Sequence, residues 1–163
     1  YALAIAGELN SNGAVHLSKK FLDDLYISGL LHDIGKIGIP EQILSKETSL
    51  TDEEFAQIKM HPARGAEILK TLPEFEESLK GVKYHHERYD GRGYPEGLKG
   101  EEIPLIAAIV AVADTYDAMT SDRTYRKALS REVAIAEIDK NVGIQFNPLV
   151  AKAFLEVLKK ESE

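Results

Sequence analysis

Six side chains in this sequence have the chemistry to hold divalent metal ions: His32, Asp33, His61, His85, His86 and Asp114. Neutral imidazoles and carboxylates are the donor set of iron, manganese and zinc, and one carboxylate can bridge two ions with its two oxygens. Four imidazoles with two carboxylates suit two ions better than one. Each residue taken singly has a plainer reading, since most histidines are not ligands and a lone Asp114 would read as a hydrogen-bonded core carboxylate. Position shifts the balance. All six fall at the ends of expected helices or, for Asp114, late in a nearly all-apolar one, where an unneutralised carboxylate is expensive.

Lys36 follows Asp33 by three residues in the string His32-Asp33-Ile34-Gly35-Lys36. The ordinary fate of a lysine is a solvated surface charge. One turn from a bridging carboxylate, however, a compact ammonium can reach a phosphate oxygen held by the metals and stabilise developing negative charge. Gly35 and Gly38 would let backbone or ligand approach closely.

The elements that must position these residues are helical. Apolar residues recur at helical spacing almost throughout, with no internal repeat and no low-complexity segment. Residues 18–31 place Phe21, Leu22, Leu25, Tyr26, Gly29 and Leu30 on one stripe, so this helix delivers His32 and Asp33 at its C-terminal end. Thr51 and Glu54 form a capping-box pattern, and Pro62 suits the first turn of a new helix reaching Leu69, with His61 at the junction. A helix from about Glu74 ends at His85 and His86, and a glycine-rich loop follows from Glu87 to Gly100. Pro104 opens the most apolar helix, which carries Ile106, Ile109, Val110 and Val112 to Asp114. Ser130 and Asn147 are N-caps for the last two helices. The expectation is an all-α, single helical bundle of about seven helices over residues 1–163. Tyr1 to Ala6 already reads as mid-helix, so the chain is expected to lack the start of its first helix.

The 163 residues suffice for one domain with one core. With no cysteine, metal ligands must come from His, Asp, Glu or backbone, which rules out thiolate zinc sites. The formal net charge of -7 disfavours nucleic acid as a partner, whereas bound cations can reverse the sign inside one pocket and admit a small phosphate ester. No apolar run of membrane-spanning length and no basic leader are visible, so no membrane insertion and a cytoplasmic location are expected.

At these residues the sequence resembles the HD-GYP branch of the HD-domain phosphohydrolases, bacterial phosphodiesterases acting on cyclic di-GMP. The matching strings are LLHDIGKIGIP at 30–40, HPARGAEIL at 61–69, HHERYDGRGYP at 85–95 and ADTYDAMTSDRTYRKAL at 113–129. HD alone is a weak signal, but HHE-x-x-DG-x-GYP is long and specific. The resemblance implies a helical bundle and metal binding by His32, Asp33, His61, His85, His86 and Asp114, with Asp33 bridging. It also implies phosphate binding by Lys36 and substrate binding by Arg123 and Arg126. It leans to iron, with manganese, zinc or nickel open, and to two ions or three. The family's further first-helix ligands lie ahead of Tyr1, and Glu8 and His16 do not match their positions. Thr124 and Asn147 depart from the family's frequent proline and aspartate, with no expected effect on the chemistry.

The chemistry implied is hydrolysis of a phosphodiester in bacterial second-messenger signalling, with a hydroxide bridging two metals as nucleophile. No string suits a covalent intermediate. The loop Asp90-Gly91-Arg92-Gly93-Tyr94-Pro95 reads as a tight turn, as a docking surface for GGDEF-class proteins on the family's pattern, or as both. Glu87 and Asp90 either orient histidines or cap that loop. Asp117 either faces the site or pairs with Arg123 or Arg126. A preceding sensory or receiver domain is expected, and homodimerisation stays open. Two other functions compete: another HD-superfamily nucleotide phosphohydrolase, and a non-catalytic signalling module.

Overall fold

The computed structural model describes residues 1–122 and 127–161. The described chain is all-α: α1 (Ala2–Ser11), α2 (Lys19–Leu31), α3 (Glu41–Leu44), α4 (Asp52–Ile58), α5 (His61–Leu69), α6 (Glu76–Tyr84), α7 (Leu105–Thr120), α8 (Arg131–Lys140) and α9 (Pro148–Lys160). The excess over the expected seven or so comes partly from α3, a single turn between Pro40 and Ser45 with no buried residue. Among the described residues no strand forms, only an isolated bridge between Val142 and Phe146. No described helix is long and apolar enough to cross a membrane.

Most helix starts follow from local chemistry. Ser18 accepts from the Phe21 N–H, and Thr51 with Glu54 makes both bonds of the capping box. Ser130 accepts from Val133, and Asn147 accepts from Leu149 and Val150 ahead of Pro148. Pro104 sits at the N-cap of α7 rather than inside it, because its φ is preset and it has no N–H to lose. α6 starts later than its apolar pattern suggests. Pro73–Phe75 winds as a 3-10 turn first, and the α-helix begins at Glu76.

α7 is the axis of the core. Ile106, Ala107, Ile109, Val110, Val112 and Tyr116 are buried along it, against Ile5 and Leu9 of α1, Leu25 of α2, Ile138 of α8 and Phe154 of α9. Tyr1, Tyr116 and Phe154 meet edge to face, with centroids 4.9–5.6 Å apart, the arrangement ring quadrupoles favour. α2 and α6 are locked by buried polar groups. Asp24 receives Lys20 Nζ at 2.8 Å and the Ser78 hydroxyl at 3.1 Å, while Ser28 Oγ lies 2.9 Å from the Ser78 carbonyl. A Cβ on Gly81 would run into Ser28, so glycine permits this approach of α6 to α2.

Candidate metal centre

Three of the four clustered histidines sit just beyond helix C-termini. His32 follows α2, His61 comes three residues after the end of α4 and opens α5, and His85 follows α6. The last carbonyls of a helix lack intrahelical partners. Each histidine turns its Nδ1 back onto the carbonyl three residues earlier: His32 to Gly29 at 2.8 Å, His61 to Ile58 at 2.7 Å and His85 to Val82 at 2.8 Å. A carbonyl only accepts, so Nδ1 carries the proton in all three rings. In the neutral rings each Nε2 is then a bare lone pair facing away from its helix.

These lone pairs converge. His61 Nε2 is 3.3 Å from His85 Nε2 and 3.2 Å from Asp33 Oδ1. His32 Nε2 is 3.6 Å from Asp33 Oδ2 and 3.5 Å from Asp114 Oδ1. The His85 and His86 rings lie 4.1 Å apart between centroids, and His61, His85 and His86 offer ligand atoms within 4.8 Å of one another. The structure thus brings together all six residues singled out for metal binding. Facing acceptors at hydrogen-bond distance repel unless something positive sits among them. This donor set therefore fits divalent cations.

Electrostatics inside the cluster point the same way. Burial, reinforced by neighbouring imidazoles, pushes His85 down to about 3 and His86 down to about 4, so both are held neutral, the form that binds metal. His32 is raised instead: burial opposes its charge, but Asp114, the Gly29 carbonyl and Asp33 outweigh burial. Burial would also raise Asp33, yet a proton on the His61 nitrogen that faces it, in the metal-free protein, and the Lys36 ammonium hold its carboxyl well below the usual range. Asp114 is likewise lowered, burial being outweighed chiefly by His32.

Lys36 donates to Asp33 Oδ2 at 2.6 Å from the 3-10 turn Ile34–Gly38. That turn is seated on α5 through its backbone. A Cβ on Gly35 would collide with the His61 carbonyl and the Gly65 nitrogen. Gly35 is required by this close approach, as its place in the motif suggests.

The loop after His86 folds back over the cluster. Glu87, only 3 % exposed, accepts three consecutive N–H groups, from Glu96 at 2.8 Å, Gly97 at 3.1 Å and Leu98 at 3.0 Å. Gly93 crosses so near His86, Glu87 and Arg88 that a Cβ would clash with their backbone, and the Tyr94 N–H donates to the His86 carbonyl at 3.2 Å. The Tyr94 ring stacks on His86 at 4.8 Å and 30°. Burial, with Asp114 and Asp33 nearby, raises its hydroxyl far above the ordinary tyrosine range, so it stays neutral. Asp90 is engaged within the loop, taking Arg88 at 2.9 Å and 3.1 Å and the Arg92 N–H at 3.0 Å. Of the two readings offered for Glu87 and Asp90, the hydrogen bonds seen here are those of loop capping.

Asp117 lies one turn beyond Asp114 and lines a hollow of about 290 Å³ that also touches His32, Tyr1 and Gly29. Arg123 and Arg126 lie outside the described residues. Glu8 pairs with Lys160 of α9 at 2.6 Å, and His16 is exposed, so neither joins the cluster. Sequence reasoning passed over Gly29, Ile58 and Val82, whose carbonyls fix the histidine tautomers. Their signal was available as the residue three before each helix-end histidine.

A family model described as HD domain matches residues 9–150. A cyclic di-GMP phosphodiesterase of Vibrio cholerae is 43% identical over 151 residues, covering 88% of this chain and 31% of the relative. A cyclic di-GMP phosphodiesterase of Thermotoga maritima is 44% identical over 146 residues, covering 88% of this chain and 40% of the relative. The chain thus spans well under half the length of these curated relatives. A solved structure of a cyclic GMP-AMP specific phosphodiesterase from V. cholerae superposes with a TM-score of 0.72 at 22% identity. It covers 99% of this chain and 42% of that one, a likeness of fold.

Proposed function

This chain belongs to the HD-domain family, and on that premise we propose that it is a metal-dependent phosphodiesterase hydrolysing cyclic di-GMP in bacterial second-messenger signalling. The observation that carries the reading is the convergence of four imidazoles and two carboxylates beside Lys36, whose ammonium is held 2.6 Å from Asp33. Relatives named for cyclic di-GMP at 43% and 44% identity support the choice of substrate.

His32, Asp33, His61, His85, His86 and Asp114 would hold the divalent ions in this reading, two with a third open and iron favoured. Bound there, such ions supply the Lewis acidity that makes water a nucleophile near neutral pH and that offsets charge on the phosphoryl oxygens. The protein's own groups then position and stabilise. Lys36 places a compact positive charge where the phosphate collects negative charge. Tyr94 holds the His86 ring flat and lends a neutral hydroxyl to the pocket wall. Glu87 fixes the loop that carries Tyr94. Arg123 and Arg126 grip phosphate or a guanine edge with planar forks. Asp117 faces the same pocket from α7. The Asp90–Pro95 loop is a surface for GGDEF-class proteins, and the domain works in the cytoplasm.

Incubation of metal-loaded protein with cyclic di-GMP, followed by chromatographic separation, is the direct test. Linear dinucleotide or mononucleotide is the expected product. Intact cyclic substrate, with metal bound and the fold retained, would overturn the reading. A parallel incubation with 3′3′-cyclic GMP-AMP distinguishes a related nucleotide specificity.

A further inference from the structure

Lys36 faces two ways. Its ammonium is on Asp33, and its side chain also lines a separate hollow of about 510 Å³ between the 3-10 turn, α3 and α4. Ile58 is shared in the same manner, because its carbonyl holds His61 Nδ1 while the residue lines the hollow. The hollow therefore abuts the metal cluster through two residues that orient Asp33 and His61.

Its walls have a divided character. Ile43, Leu44, Leu50 and Ile58 provide aliphatic surface, and Thr48 and Ser49 add hydroxyls. Lys46, the other lysine on this wall, is paired with Glu54 at 2.5 Å, and Glu54 also closes the capping box of α4. That pair anchors the loop 45–51 to the helix it precedes, which gives the hollow a built rim. The size is that of an ordinary small-molecule pocket, about 300–1,000 Å³. A phosphate alone would leave it largely empty.

We infer that this hollow is a subsite for the nucleoside half of a nucleotide whose phosphate lies at Lys36 and the metal cluster. The inference rests on the phosphodiesterase reading for the placement of the phosphate. A flat base buries its faces against Ile43, Leu44, Leu50 and Ile58, while the sugar or base edge meets the hydroxyls of Thr48 and Ser49. Affinity beyond that of phosphate then comes from apolar area buried in the hollow, and Lys36 joins the two halves of the site.

The test compares guanosine 5′-monophosphate with inorganic phosphate on the metal-loaded chain. Binding is read by calorimetry and by methyl NMR. GMP should bind at least about tenfold more tightly than phosphate, and it should shift the methyl signals of Ile43 and Ile58, which phosphate leaves in place. Leu44→Gln and Leu50→Gln, at partly or largely exposed positions, should erase most of that tenfold while phosphate affinity and metal content hold. GMP binding no tighter than phosphate, or variants that keep the full preference, would overturn the subsite. A groove-dependent GMP preference without hydrolysis of cyclic di-GMP would leave the subsite standing and remove the phosphodiesterase reading. Hydrolysis with wild-type KM in both variants would do the reverse.

Discussion

His61 and His85 point their Nε2 atoms at each other across 3.3 Å, although in the neutral rings neither nitrogen has a proton to offer. Both protons are on Nδ1, committed to the carbonyls of Ile58 and Val82. Two lone pairs in that relation are stable only with positive charge between or beside them.

Metal should therefore be a structural component as well as a reagent. Purified protein reloaded without chelator should contain about two ions per chain by elemental analysis. Binding at a free concentration a hundred times Kd should add about 2.7 kcal/mol to unfolding stability. Asp33→Ala should drop metal content below about one ion and lower the melting temperature, because facing imidazoles lose their bridging partner. Unchanged metal content in that variant would remove Asp33 from the ligand set.

Lys36→Ala should separate chemistry from metal storage. Helicity and metal count should hold, while turnover of cyclic di-GMP falls roughly 10- to 1000-fold, the effect of losing one preorganised contact to a transition state. Lys36→Arg should recover little of it, since a planar fork does not put charge where the ammonium sits. Wild-type turnover in the alanine variant would return Lys36 to the role of a surface charge.

Glu87→Ala should free the loop. Three N–H groups lose their one carboxylate acceptor, a cost of about 1–2 kcal/mol since water can replace part of it, and hydrogen exchange at Glu96, Gly97 and Leu98 should accelerate together. Glu87→Gln keeps one carbonyl oxygen but loses the second acceptor. Leu98, bonded to Oε2, should exchange faster than Glu96 and Gly97 in that variant. Three amides that stay protected in the alanine variant would show that the loop is held by other contacts.

Acid should destabilise the metal-free chain before its carboxylates titrate. His86 and His85 are depressed to about 4 and about 3 from an ordinary value of 6.5, so below pH 6.5 the unfolded chain takes up protons that the native one refuses. Stability then falls as pH drops through that window, by up to about 1.4 kcal/mol per pH unit for each such proton. His32 has the opposite sign. Its raised value contributes stability that is fully present below 6.5 and is lost as pH rises through its folded value. Asp33 and Asp114 are depressed, so their contribution fades only below the ordinary aspartate range. Denaturant midpoints in chelator should thus peak near neutrality, and a midpoint flat from pH 6.5 to 4 would mean the two imidazoles are not held neutral.

Much of this arrangement was legible beforehand, because helix caps and helix-end histidines are local features. Thr51, Ser130 and Asn147 mark starts that the chain adopts, and five of the six donors fall at or just past helix ends, with Asp114 inside α7. What was not legible depends on contacts between distant segments. Nothing local indicates that Ser28 would meet Ser78, fifty residues away, or that Glu87 would seize amides nine to eleven residues on. α3 carries too little apolar periodicity to announce a helix, so the hollow it walls had no signature. Asp117 remained ambiguous because neighbours one turn apart on α7 share a face without sharing a partner.

The seam between Gly35 and the His61–Gly65 turn sets a limit on how this site can be altered. There the two ligand-bearing segments touch main chain to main chain, so the approach of Asp33 to His61 is limited by backbone contact and no side chain there can be trimmed to bring them nearer. Side chains on either segment can be exchanged to suit a softer or harder ion. A larger or smaller cage, however, has to be made from the opposite wall, by shifting where α7 presents Asp114.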